Sequence, residues 1–137
     1  PTVEIRICDA QPDLGEARAL SALCYALTAR IARAVDDGEP LPSYPNRLIE
    51  ENLWRAIRYG LSGELIDLGT GEVRPARAHL ERLVEWVLPI AEELGVAPHL
   101  AITGANAAER QIARRAAGAS LEEIYAEQVR PKEPVGG

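Results

Sequence analysis

The chain has 137 residues, 47% of them apolar, and a formal net charge of −6. That length suits one domain able to bury roughly two-thirds of its unfolded surface, and the acidic balance argues against nonspecific nucleic-acid binding, which needs a basic face. No apolar run reaches the roughly 18 residues of a membrane-spanning helix, and the first residues lack the basic region and apolar stretch of a signal peptide.

Residues 2–8, within TVEIRICDA, read as a strand. Val3, Ile5 and Ile7 alternate onto one face, and Thr2, Glu4, Arg6 and Cys8 onto the other. A helix is expected over residues 14–36. Asp13 with Glu16 has capping-box spacing, and Leu20, Leu23, Cys24, Leu27, Ile31, Ala34 and Val35 form the apolar stripe. DDGEPLPSYP stops it, because glycine ends helices and proline cannot continue them.

A second helix is expected over residues 46–59, with Leu48, Ile49, Leu53, Trp54 and Ile57 as its apolar positions. Leu65, Ile66 and Leu68, the run Gly69-Thr70-Gly71, and Val73 read as a small hairpin that Pro75 closes. The third helix covers residues 76–94, with Leu80, Leu83, Val84, Val87, Leu88 and Ala91 inward. Pro89 is expected to kink or divide it, since it removes a donor and crowds the preceding turn. Asn106 with Glu109, and Ser120 with Glu123, cap a fourth and a fifth helix, which end near Gly118 and Val129. The fold class is therefore α+β: mostly helical, with one N-terminal strand and one hairpin. Residues 1–130 form the domain portion and residues 131–137 a disordered tail.

One strand and a small hairpin do not make a stable sheet, so the first strand needs partners from elsewhere. The chain also contains no methionine and opens on Pro1. Both features lead us to expect a piece of a longer protein or a processed product. Cys8 and Cys24 are too few for a disulfide scaffold and read as buried, reduced thiols, which favours a cytoplasmic setting.

Several chemistries are absent from the sequence. GTGEVRP lacks the lysine and spacing of a phosphate-binding loop, and there is no G-x-G-x-x-G, H-E-x-x-H or G-x-S-x-G. His79 and His99 have no cysteine neighbours for a zinc site and read as surface or capping groups. Two constellations remain. Glu4 and Arg6 share a strand face roughly 7 Å apart. A carboxylate there suits Mg²⁺, which takes one or two protein carboxylates plus phosphate oxygens, and a guanidinium beside it suits a phosphate. A solvated ion-pair ladder is the competing reading. Asn52, Arg55 and Tyr59, with Arg58 nearby, share one face of the second helix and could bind an anion. The alternative there is a helix whose Leu53 and Trp54 pack inward while its arginines stay wet.

Taken in order, TVEIRICDAQ, PNRLIEENLWRAIRYGLSGELID, GEVRPARAHLERL and GANAAERQIARRAAG resemble the C-terminal part of the bacterial carboxylate–amine ligase family, also called glutamate–cysteine ligase type 2. The resemblance runs from Thr2 to about Val129. It implies part of a glutamine-synthetase-like fold, in which an antiparallel sheet forms a funnel-like active site with helices outside. It also implies use of ATP and Mg²⁺: a carboxylate, classically the side chain of glutamate, is phosphorylated and an amine, classically that of cysteine, attacks the acyl phosphate, with small-molecule amino acids as substrates. Carried over by motif, Glu4 is a Mg²⁺ ligand and Arg6 a catalytic group on the transferring phosphate. Asn52 and Arg55 are nucleotide-binding candidates, and Asp9 and Trp54 are matched positions of undefined role. Leu53 stands where the family often has a basic residue, so position 53 is expected to bind nothing. The acidic strands that supply most metal ligands lie upstream in the family and are absent here. The chain alone is thus expected to be inactive, with the missing N-terminal part as its partner and a homo-oligomer open to it. The alternative is a non-catalytic helical module that pairs its orphan strand with a partner chain or another copy. No membrane or nucleic-acid partner is expected.

Overall fold

In the computed structural model, residues 2–101 and 104–129 are described. The expected tail from residue 131 lies outside them. Helix α1 spans Leu14–Asp36. Its first turn is closed by Asp13, whose carboxylate accepts from the Gly15 and Glu16 amides at 2.8 and 3.1 Å, satisfying donors that the helix itself leaves unpaired. Its last turn passes into Gly38, at φ 69°, a left-handed geometry suited to glycine.

Helix α2 spans Asn46–Tyr59. Strands β1 (Glu64–Ile66) and β2 (Val73–Pro75) then form an antiparallel hairpin, pairing Glu64 with Pro75, Leu65 with Arg74, and Ile66 with Val73. Asp67 organises the connection: its side chain accepts from the Gly69 and Thr70 amides, at 3.0 and 3.3 Å. Helix α3 follows directly as Ala76–Glu93, then α4 (Ala107–Ala116) and α5 (Leu121–Val129). Of the two outcomes expected at Pro89, a kink or a division, division does not occur: α3 runs through it and ends four residues later.

The core is the α1–α3 contact. Ala26, Val87, Ile90 and Ala91 are buried, with Leu23, Leu27, Leu83, Leu94, Val96 and Leu100 packed against them. Alanines at 26 and 91 leave little side chain between the two axes, so the helices can approach closely. Two positions of the α1 stripe, Ile31 and Val35, are exposed, while Ala34 between them is buried. Arg33 reaches across with both terminal nitrogens to Glu93, each at 2.9 Å, joining the ends of α1 and α3. Arg110 on α4 grips Glu16 in the same two-pronged way at 2.7 Å.

Two sequence expectations fail here. Residues 2–8 lie in no ladder, and Val3, Ile5 and Ile7 are 75%, 40% and 80% exposed. Backbone donors and acceptors need a neighbouring strand to become a sheet, and no strand among the described residues runs beside them. The second failure is the orientation of α2. The packing set out as the alternative for this helix, Leu53 and Trp54 inward with the arginines wet, is not seen: both are exposed, as are Ile49 and Ile57, while Leu48, Glu51, Asn52 and Arg55 are half-buried. The helix packs on the short hairpin, which offers it backbone polar groups more than apolar area.

Candidate functional site

The N-terminal segment holds Glu4 and Arg6 together. Arg6 Nε lies 2.9 Å from Glu4 Oε1, and the two side chains are 81% (Arg6) and 68% (Glu4) exposed. An ion pair this open contributes little to stability, so neither group is committed to holding the fold. Three residues on, the Asp9 carbonyl accepts from the Gln11 amide at 3.0 Å, shaping the lead into α1.

The second constellation is arranged differently. The Asn52 amide donates to the Ile66 carbonyl and accepts from the Ile66 amide, both at 2.8 Å. It therefore brackets the backbone of one β1 residue, bonding the peptide groups on both sides of it, and fastens α2 to the hairpin. Arg55 pairs with Glu51 one turn back at 2.7 Å. Arg58 lies over the Tyr59 ring at 5.5 Å, and Tyr59 meets Trp54 edge-on at 5.7 Å. The described structure thus brings Glu4 to Arg6, and Asn52 to Ile66, with different partners for each set. Asn52 has the surroundings of a structural clamp.

Sequence reading passed over a polar groove beside the hairpin. Asp67, Arg82, His79 and Trp86 line it together with Tyr44 and Asn52. Arg82 donates to Asp67 at 2.6 Å; this contact, then the Gly69 and Thr70 amides, hold the Asp67 carboxyl below its ordinary range. His79 Nε2 lies 3.3 Å from the Leu65 carbonyl. At the rim Arg30 sits 4.7 Å over Trp86 and bonds Glu39 with one nitrogen; its other terminal nitrogen is buried without a hydrogen-bond partner, facing a ring instead. The Asp-x-Gly-Thr-Gly turn was the available signal, but the 15-residue step from Asp67 to Arg82 is set by the fold.

At the corner leaving α2, Glu109 and Asn106 make a full capping box: the Asn106 amide donates to Glu109 at 2.9 Å and the Glu109 amide to Asn106 at 2.8 Å. The other oxygen of Glu109 accepts from the Ser62 amide at 3.2 Å. Donation from the Asn106 amide, and after it from Ser62, depresses the Glu109 pKa against the opposing effect of burial. Gly60, at φ 59°, fits this corner because a Cβ there would come within 2.8 Å of the Asn106 amide nitrogen.

The donor set suits Mg²⁺ and phosphate in part. Glu4 offers one hard oxygen ligand and Arg6 one cation, whereas no cluster of three or more His, Cys, Asp or Glu residues that could hold a metal occurs among the described residues. A nucleotide-bound ion needs further carboxylates than these.

Comparison with known proteins accounts for the order of the motifs. Residues 1–129 match the family model described as glutamate-cysteine ligase family 2. The chain belongs to that family. Among curated relatives, three share the printed name "Putative glutamate--cysteine ligase 2", with the suffix 2-1 for the two from Frankia. That of Frankia casuarinae is 40% identical over 129 residues, 90% of this chain and 34% of the relative. That of Solibacter usitatus is 39% identical over 117 residues, 82% of this chain and 30% of the relative. That of Frankia alni is 43% identical over 124 residues, 85% and 32%. The chain thus spans about a third of the length of the curated relatives it matches.

Proposed function

We propose that residues 1–130 are the C-terminal portion of an ATP-dependent carboxylate–amine ligase of the glutamate–cysteine type, built on a glutamine-synthetase-like fold. The observation that carries this reading is the family match over residues 1–129, which takes in an exposed and structurally uncommitted Glu4–Arg6 pair. Small-molecule amino acids, a carboxylate donor and an amine, are the proposed substrates and the cytoplasm the proposed setting.

In this reading Glu4 would hold Mg²⁺ as one of several carboxylates, and Arg6 would bind the oxygens of the phosphoryl group. Bound Mg²⁺–ATP supplies the activation of the carboxylate. Phosphoryl transfer asks the protein for positioning and for cations where negative charge builds up, rather than for a protein nucleophile. Arg6 meets that need, and its planar guanidinium can make two parallel hydrogen bonds to phosphate. Arg55 is a weaker candidate for the nucleotide, because reaching it would cost the bond to Glu51. Asn52 would act from behind, by fixing α2 on the hairpin.

The other carboxylates come, in this proposal, from polypeptide corresponding to the remaining two-thirds of the relatives. The isolated 137-residue chain is then inactive, and ATP turnover by it would refute that. The test of the whole reading is ADP release with glutamate and cysteine from a polypeptide extended to the length of the relatives. Release that depends on both amino acids and is lost in Arg6→Ala supports the ligase and the role of Arg6. Equal release in both proteins removes Arg6 from the site. No release from a folded parent shifts weight to the second reading, a non-catalytic module that pairs with a partner chain or another copy. Exposure of Val3, Ile5 and Ile7 beside unpaired extended backbone favours that alternative.

A further inference from the structure

Cys8 and Cys24 contradict the expectation of separately buried thiols. Their sulfurs lie 3.8 Å apart, sixteen residues separate them, and Cys8 is exposed. Cys24 projects from α1, so it is fixed by a helix, whereas Cys8 lies on the extended N-terminal segment, which is not held in a ladder. One sulfur is therefore anchored and the other is accessible and outside any ladder, so the pair can close to bonding distance without breaking a strand pairing. The two thiols also differ chemically. Burial, and after it the neighbouring Cys8, pushes the Cys24 thiol up, leaving the exposed Cys8 as the sulfur better placed to meet a reagent in solution.

We propose that Cys8 and Cys24 form a dithiol site that reacts with low-molecular-weight disulfides and closes into an intramolecular bond tying the N-terminal segment to α1. Cys8, as its thiolate, attacks one sulfur of the small disulfide. The small S–S bond breaks, a mixed disulfide forms on Cys8, and one small thiolate leaves. Cys24, deprotonated, then attacks Cys8 Sγ; the mixed S–S bond breaks, the Cys8–Cys24 bond forms, and the second small thiolate leaves. The protons lost by the two cysteines end on the two small thiols released, and the small disulfide is the oxidant. The second step is intramolecular, with an effective concentration of order millimolar or above. Glu4 and Arg6 precede Cys8 by four and two residues, so closure restrains the segment that carries them. The inference does not depend on the ligase reading.

Trypsin separates the two cysteines, because Arg6, Arg18 and Arg30 place Cys8 in residues 7–18 and Cys24 in residues 19–30. The experiment treats the reduced protein with oxidised glutathione, quenches it with acid, and maps peptides by mass without reduction. The expected product is the peptide 7–18 joined to 19–30, with loss of both thiols in step. In Cys24→Ser, glutathione should remain on Cys8. In Cys8→Ser, modification of Cys24 should be slower by roughly tenfold or more, in keeping with a half-buried, raised-pKa thiol. Hydrogen exchange of amides 3–10 should slow on oxidation of the parent and stay unchanged in either variant. Stable glutathione on Cys8 of the parent with no joined peptide would overturn the proposal, as would cross-linking only between molecules or equal reactivity of the two single variants.

Discussion

Helices α1 and α2 are both amphipathic, yet they meet their surroundings in opposite ways. On α1, Ala22, Ala26 and Ala34 are buried and the core with α3 forms on that face. On α2 no residue is buried, and Ile49, Leu53, Trp54 and Ile57 are 47%, 44%, 53% and 77% exposed. An apolar stripe declares which face wants to leave water but says nothing of where a neighbour is. For α1 the neighbour, α3, lies within the chain. For α2 the main neighbour among the described residues is a three-residue strand, and a polar side chain fastens the two. The contrast separates a helix held by packing from one held by hydrogen bonds.

The comparison can be broken most severely at the core. Ile90→Ala removes a side chain packed between α1 and α3 and should cost about 2–5 kcal/mol in urea unfolding. The corresponding attack on α2 is polar. Asn52→Ala strands the Ile66 amide and carbonyl and should cost about 1–3 kcal/mol, with faster exchange of the Ile66 amide as a local readout. A smaller effect is expected at the corner between α2 and α4. The folded-state pKa of Glu109 lies below its ordinary value. As pH falls through the carboxylate range the unfolded chain takes up the proton first. The stabilisation from Glu109 is therefore full above its ordinary pKa and is lost as pH drops through the lowered one. Glu109→Gln should flatten the acid limb of a stability-against-pH curve, and an unchanged slope would count against the bond to the Ser62 and Asn106 amides. The smallest effect sharpens the contrast: Ile57→Ser on the exposed face should change the stability of this chain by no more than about 0.5 kcal/mol.

What could be read from the sequence was what local chemistry decides. Helix starts followed from side chains that bond amides two or three residues on: Asp13 to Gly15 and Glu16, Asn106 with Glu109, and Ser120 with Glu123. The hairpin followed from its glycine-rich turn. What could not be read depended on neighbours. The face that α2 buries was one such case, because Leu53 and Trp54 could pack inward only where a core met them. Pro89 left a kink or a division open, and α3 is not divided. The N-terminal strand has the alternation of a strand but no described partner, and the meeting of Cys8 with Cys24 depends on how that segment lies across α1. Of the candidate site, the Glu4–Arg6 adjacency was legible from period-two spacing, whereas the capture of Asn52 by Ile66 and of Asp67 by Arg82 was not.

The Asn52 clamp also bears on which substitutions the lineage can tolerate. Its amide engages backbone and not a side chain, so every residue except proline at position 66 presents the same donor and acceptor. Position 66 is then free to drift among residues of similar size, and the constraint falls on position 52. There, aspartate forfeits the donor and glutamine overshoots by a methylene. A join of this kind lets the hairpin change its sequence while α2 stays in register with it.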